Sequence, residues 1–171
     1  MQALAKQAPV TKDVTALLQG LVAEQLPDAR GLAAWQSLLQ AHATLMRKLE
    51  MDLEHETGLA LADFDVLAQL ASAGGELRMT ELAARALISR SGMTRRVARL
   101  VDEGLVSRAS AGADARGVVI TLTDAGVARL AETAPVHIRG VADLFVARLD
   151  DQELAALRSA LEKVKVDCTF G

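Results

Sequence analysis

Apolar residues return along this chain at helical intervals over most of its length, and the interval changes in one stretch. Between Met79 and Thr123, two short helical patterns are followed by two β-like runs with a Gly- and Ala-rich, charged loop between them. In the second helical pattern Met93, Val97, Leu100 and Val101 recur at i, i+4, i+7 and i+8 and share one helix face. Ser91, Arg95, Ala98 and Arg99 fall opposite, with Thr94 and Arg96 on the flanks. One face is apolar and the other is basic with small hydroxyls. A helix that packs on its own domain while offering donors to phosphates and base edges in a major groove needs this arrangement.

The same reading predicts the other elements. Val14, Leu17, Leu18, Leu21 and Val22 keep helical spacing behind a capping Thr11, so residues 1–27 are expected to hold an extra N-terminal helix. Its role, as packing element or mobile arm, is open at this level. A long helix is predicted to end near Glu56. Its stripe is Trp35, Leu38, Leu39, His42, Leu45, Met46, Leu49 and Leu53, with ordinary core packing expected for the leucines. Gly58 marks its end. Leu61–Ala71 reads as a short amphipathic helix with Phe64, Leu67 and Leu70 in the core and Asp63 and Asp65 as first-turn acids, closed by Gly74-Gly75. Leu77–Met79 reads as a short strand or bridge, and Thr80 as the cap of a helix that turns Leu82, Ala83, Ala86 and Leu87 inward. Leu105–Ala109 and Val118–Leu122 are predicted strands around the loop Ser110–Gly117. Thr123-Asp124 caps a further helix, which Pro135 interrupts or bends. After Asp150–Glu153, Leu154, Leu157, Leu161 and Val164 form a coiled-coil-like seam.

These residues resemble the MarR-family winged helix-turn-helix regulators. The likeness rests on Ser89–Arg108 (SRSGMTRRVARLVDEGLVSR), on Asp114-Ala115-Arg116 in the loop, and on Leu122–Gly126 (LTDAG). Gly58–Leu67 and a leading helix with Trp35 and His42 extend it, so that it covers roughly residues 30–166. It implies a mainly α fold with a small β wing, in which the winged helix-turn-helix region (58–123) is flanked by dimerisation helices (28–57 and 124–166). The expected partners are double-stranded DNA and a second copy of the chain. Arg90, Ser91, Thr94, Arg95 and Arg99 are the expected contacts of the recognition helix. The resemblance places Arg116 in the adjacent minor groove, with Asp114 supporting the wing. It also implies a small aromatic or phenolic effector, for which Trp35 and His42, two turns apart on one face, are the candidate contacts; a structural histidine is the plainer reading of His42.

Charge sharpens this picture. The chain carries a net −3, unusual for a DNA binder, yet residues 76–116 hold eight arginines against five acids. The positive charge is concentrated where DNA is expected, and all of it is arginine, which suits bidentate contacts to phosphate and guanine. At 2% aromatic residues the core must be built from Leu, Ala and Val, which favours helices. No apolar run is long enough for a membrane span, and no secretory leader is expected. The single cysteine, Cys168, has no partner in the chain, so a reducing cytoplasm is the expected compartment. No Gly-rich phosphate loop follows a strand, the three histidines are scattered, and no Ser/His/acid set falls in a motif, so neither catalysis, a metal nor a cofactor is expected. The competing readings are a winged helix used for protein contacts and a constitutive DNA binder without effector.

Overall fold

The computed structural model describes residues 11–25, 29–110 and 117–167. In order these form α1 (Thr11–Gln25), α2 (Ala29–Thr57), α3 (Leu61–Ser72), β1 (Glu76–Arg78), α4 (Met79–Arg85), α5 (Arg90–Asp102), β2 (Val106–Ser110), β3 (Val118–Leu122), α6 (Asp124–Leu144), a 3₁₀ turn (Val146–Arg148) and α7 (Asp151–Asp167). The expected architecture, helical with a small β wing, is the one observed. Asp114 and Arg116 lie outside the described residues, as do Cys168 and residues 1–10.

Two compact units divide the chain after Thr44. The first holds α1 and the leading part of α2, and nearly all of it is exposed. Val14, Leu17, Leu18 and Leu21 of α1 and Trp35, Leu38 and Leu39 of α2 face solvent. Core packing of Leu38 and Leu39 is therefore not what the single chain shows. Their helical spacing made an apolar face, but no described residue of this unit buries it.

The second unit contains the core. Leu49 and Leu53 from the end of α2 join Phe64, Val66, Leu67 and Leu70 of α3, Leu82 of α4, Met93, Val97 and Leu100 of α5, and Ile120 of β3. Burying these side chains is the main stabilising term, about 1.5–3 kcal/mol for each fully buried large aliphatic. The sheet runs in the order β1-β3-β2, all antiparallel, with Leu77 and Arg108 both opposite Ile120. One strand of the wing, β3, thus pairs with the short strand that precedes α4, as expected.

Helix starts differ from the sequence expectation in two places. The first backbone N–H of α3 is satisfied from another helix, by Glu50 Oε2 accepting from Leu61 N at 3.1 Å. Asp63 stands in the first turn, as expected, and its carboxylate takes a further partner. The cap position of α4 is Arg78, not Thr80, because β1 runs straight into the helix; Glu81 Oε2 accepts from Arg78 N at 3.2 Å. Pro135 does not interrupt α6, which continues from Asp124 to Leu144.

The inward placement expected for Leu87 is also corrected. Leu82 and Ala83 are buried, but Leu87 is 89% exposed with φ +54°. Helix α4 ends in a Schellman motif. Ile88 N donates to Ala83 O at 3.1 Å and Leu87 N to Ala84 O at 3.3 Å, which places Leu87 at the left-handed position.

Candidate nucleic-acid interface

Helix α5 begins cleanly because Ser89 is extended (φ −60°, ψ 149°) and its hydroxyl accepts from Gly92 N at 3.2 Å. Gly92 fits closely there. A Cβ would stand 3.0 Å from Ile88 Cγ2 and 3.1 Å from Ser89 Oγ, so the turn and the helix start are packed on one another. Gly104 (φ +72°) ends the helix, with Leu105 N donating to Leu100 O at 2.9 Å.

The two faces of α5 separate as the spacing predicts. Met93, Val97 and Leu100 are fully buried, while Val101 stays partly exposed. Arg90, Ser91, Thr94, Arg95, Ala98 and Arg99 are exposed. Thr94 Oγ1 donates to Arg90 O at 2.9 Å, so its hydroxyl proton is engaged by the helix while its oxygen can still accept. Arg90 and Arg95 form no ion pair with a described residue and present full cations to solvent. Exposed Arg108 on β2 adds a further cation on the strand that leads into the wing.

One member of this set was not read from the sequence. Asp63, only 4% exposed on α3, receives Arg96 Nη1 at 2.7 Å and also accepts from Arg99 Nη2. The carboxylate thus holds two arginines that stand three residues apart on α5. Its hydrogen bond, and then its charge, raise the pKa of Arg99 further. Arg96 is mostly buried and leaves its Nε without a partner. Arg99 is half exposed; its Nε stands 4.0 Å from Glu103 Oε1, and its other free donors face solvent. Neither arginine revealed this partner, because the carboxylate lies 33 and 36 residues earlier in the chain.

The C-terminal end of α5 is tied to α6. Thr123 Oγ1 donates to Gly104 O at 2.7 Å and accepts from Gly126 N at 3.0 Å. A Cβ on Gly126 would meet Leu105 O at 2.1 Å, so only glycine lets α6 start this close to the recognition helix. This explains the LTDAG stretch physically.

Trp35 and His42 lie seven residues apart on α2, both exposed. His55 is exposed as well, and His137 packs against Phe64 with ring centroids 4.6 Å apart. Among the described residues no group of three His, Cys, Asp or Glu could hold a metal ion. No described helix is long and apolar enough to cross a membrane.

With this geometry in place, the chain can be set beside known proteins. A family model described as MarR family matches residues 57–117. The chain is similar to Sco3205, a MarR family transcriptional regulator from Streptomyces coelicolor solved in complex with DNA, at 32% identity over 84% of this chain and 94% of that one, with a TM-score of 0.78. It is similar to AbsC, a MarR family transcriptional regulator from the same organism, at 27% identity over 84% and 97%, with a TM-score of 0.77. A mutant MarR from E. coli, complexed with operator DNA, is 26% identical over 84% and 97%, with a TM-score of 0.69. No curated protein matches the chain.

Proposed function

The chain belongs to the MarR family of transcriptional regulators, and from that premise we propose that it binds duplex DNA sequence-specifically as a homodimer and represses transcription. The observation that carries this reading is the exposed face of α5, where Ser91, Thr94 and Arg95 stand opposite the buried Met93, Val97 and Leu100. The solved relatives Sco3205 and MarR, each in complex with DNA, support it.

In this reading Ser91, Thr94 and Arg95 meet base edges and nearby phosphates, and Arg90 serves a phosphate. Arg99 reaches a phosphate with the donors that Asp63 does not use. Arg116, outside the described residues, enters the minor groove from a wing supported by Asp114. Two recognition helices related by a two-fold axis then enter successive major grooves, so the operator is an inverted repeat with half-sites centred roughly 10 bp apart. A protein acting on DNA in this way is placed in the cytoplasm, and no catalytic step is assigned to it.

A small aromatic or phenolic effector is proposed at Trp35 and His42. Such a ligand releases DNA only if it prefers the spacing of recognition helices that does not fit the operator. Trp35 is the only tryptophan, so its fluorescence in a titration with benzoate or phenol reports binding directly. An unchanged spectrum together with unchanged operator affinity would leave a regulator without an effector of this class.

The direct test is fluorescence anisotropy with duplex from upstream of the protein's own coding region, beside a scrambled duplex, over a salt series. Arg95→Ala is expected to lose about 1–3 kcal/mol on the specific duplex and little on the scramble. Arg116→Ala should weaken both duplexes and flatten the salt slope by about one. Salt-insensitive, sequence-indifferent binding by the unaltered protein would overturn the reading.

A further inference from the structure

Every positive-φ residue among those described is glycine (Gly58, Gly74, Gly75 and Gly104) except Leu87. The comparison with Gly104 is internal to the protein. Helices α4 and α5 end in the same Schellman geometry, yet the left-handed position is Gly104 at one and Leu87 at the other. A left-handed conformation is disfavoured for a residue with a Cβ, and glycine removes that penalty. Leu87 carries a second cost as well, since its side chain is 89% exposed and has little apolar cover among the described residues. A strained backbone and an apolar side chain held in water coincide on one residue, without compensating packing among the described residues.

The position identifies what compensates. Leu87 stands two residues before Ser89, the cap of α5, and exposed Arg90 and Ser91 follow at once. We propose that Leu87 is a DNA contact whose side chain packs on the C–H edge of a deoxyribose at the rim of the groove that α5 enters. The inference rests on the DNA-binding reading above. The first turn of a recognition helix reaches base edges; the turn just before it passes the backbone. There, phosphate oxygens call for cations, which Arg90 supplies, whereas the sugar carbons offer an apolar surface that suits leucine. Such a contact adds affinity and fixes the approach of the turn without reading sequence. The strain is retained because glycine would make a better turn and a poorer contact.

The test uses the full chain with Leu87→Gly and Leu87→Asn, the second keeping a residue tolerant of left-handed backbone while making it polar. Three duplexes serve as probes: one the protein selects from a random pool, its scramble, and the selected one with deoxyuridine for thymidine. Leu87→Gly should melt at higher temperature than the unaltered protein. It should bind the selected and scrambled duplexes more weakly by the same factor, roughly three- to tenfold, as expected for a leucine side chain that is only partly covered by a sugar edge. The salt slope should not change, because no phosphate contact is removed. Leu87→Asn should weaken binding in the same direction, and deoxyuridine should leave the ratio of unaltered to variant protein as it was. Unchanged affinity of Leu87→Gly would overturn the proposal. So would a loss that is confined to the selected duplex and disappears with deoxyuridine, which would make Leu87 a reader of thymine methyl groups. A shift in sedimentation of the variant would assign the leucine to a contact between copies and overturn the proposal too. If the unaltered protein bound none of the duplexes, the DNA-binding reading would fail and this proposal with it, an outcome distinct from normal binding that is indifferent to Leu87.

Discussion

His137 shows how a single side chain connects pH to this fold. It sits on α6 with its ring against Phe64 of α3, and its Nδ1 is buried without a hydrogen-bond partner. Burial pushes its pKa below 6.5, an effect that Asp65 partly offsets by favouring the cation. The folded chain thus binds a proton at His137 less readily than the unfolded chain. Its packing contribution is fully present above the unfolded pKa near 6.5 and is lost as pH falls through 6.5 toward the lower folded value. Urea midpoints of the unaltered protein should therefore drop between pH 7.5 and 5.5 by more than those of His137→Phe, which fills the ring's space and cannot take a proton. Parallel midpoints for the two proteins would show that the acid sensitivity arises elsewhere.

At the scale of elements, Asp63 links α3 to the recognition helix through Arg96 and Arg99. Asp63→Asn keeps the volume and one acceptor but leaves Arg96 without its counter-charge and Arg99 with only the more distant Glu103. The cost is expected at about 1–3 kcal/mol, below that of breaking a fully buried pair because Arg99 is half exposed and screened by water. Urea denaturation at pH 7 measures it, and a loss under about 0.5 kcal/mol would class the fork as an ordinary surface pair. This fork also marks where sequence reading stopped. The apolar face of α5, its exposed residues, the strands of the wing and the Thr123 cap all follow from local periodicity and short-range hydrogen bonding, and they were legible. Asp63 was read as a first-turn acid because that is the only role a local rule gives it. The cap of α3 supplied by Glu50, eleven residues earlier, was hidden for the same reason. Leu87 was misassigned because periodicity continues through a helix end, while the left-handed residue that closes a helix breaks it.

For the whole molecule, the unresolved physical question is how the first unit is stable. An apolar stripe can be read from sequence, but the surface that covers it cannot. Val14, Leu17, Leu18, Leu21, Trp35, Leu38 and Leu39 are all exposed in a pair of helical segments that have little else to bury. Short helices draw most of their stability from packing of such a face, and α1 is only 15 residues long. In the proposed homodimer a second copy would supply an equivalent face, and a two-fold axis would make one patch complementary to itself. Seven apolar side chains would form the centre of an interface to which each partner contributes roughly 800 Å², with their polar neighbours making up the rim. Leu17→Glu with Leu21→Glu should therefore weaken self-association at least tenfold in sedimentation velocity, since two charges would enter an apolar contact. The same variant should keep the melting transition of the second unit, whose core contains neither residue. Binding to a single half-site should persist while binding to the full inverted repeat weakens, because the two recognition helices would no longer arrive together. If the charged variant stayed dimeric and Trp35→Glu did as well, the covering surface of the first unit would not be its own copy, and the dimer would have to be built from α6 and α7.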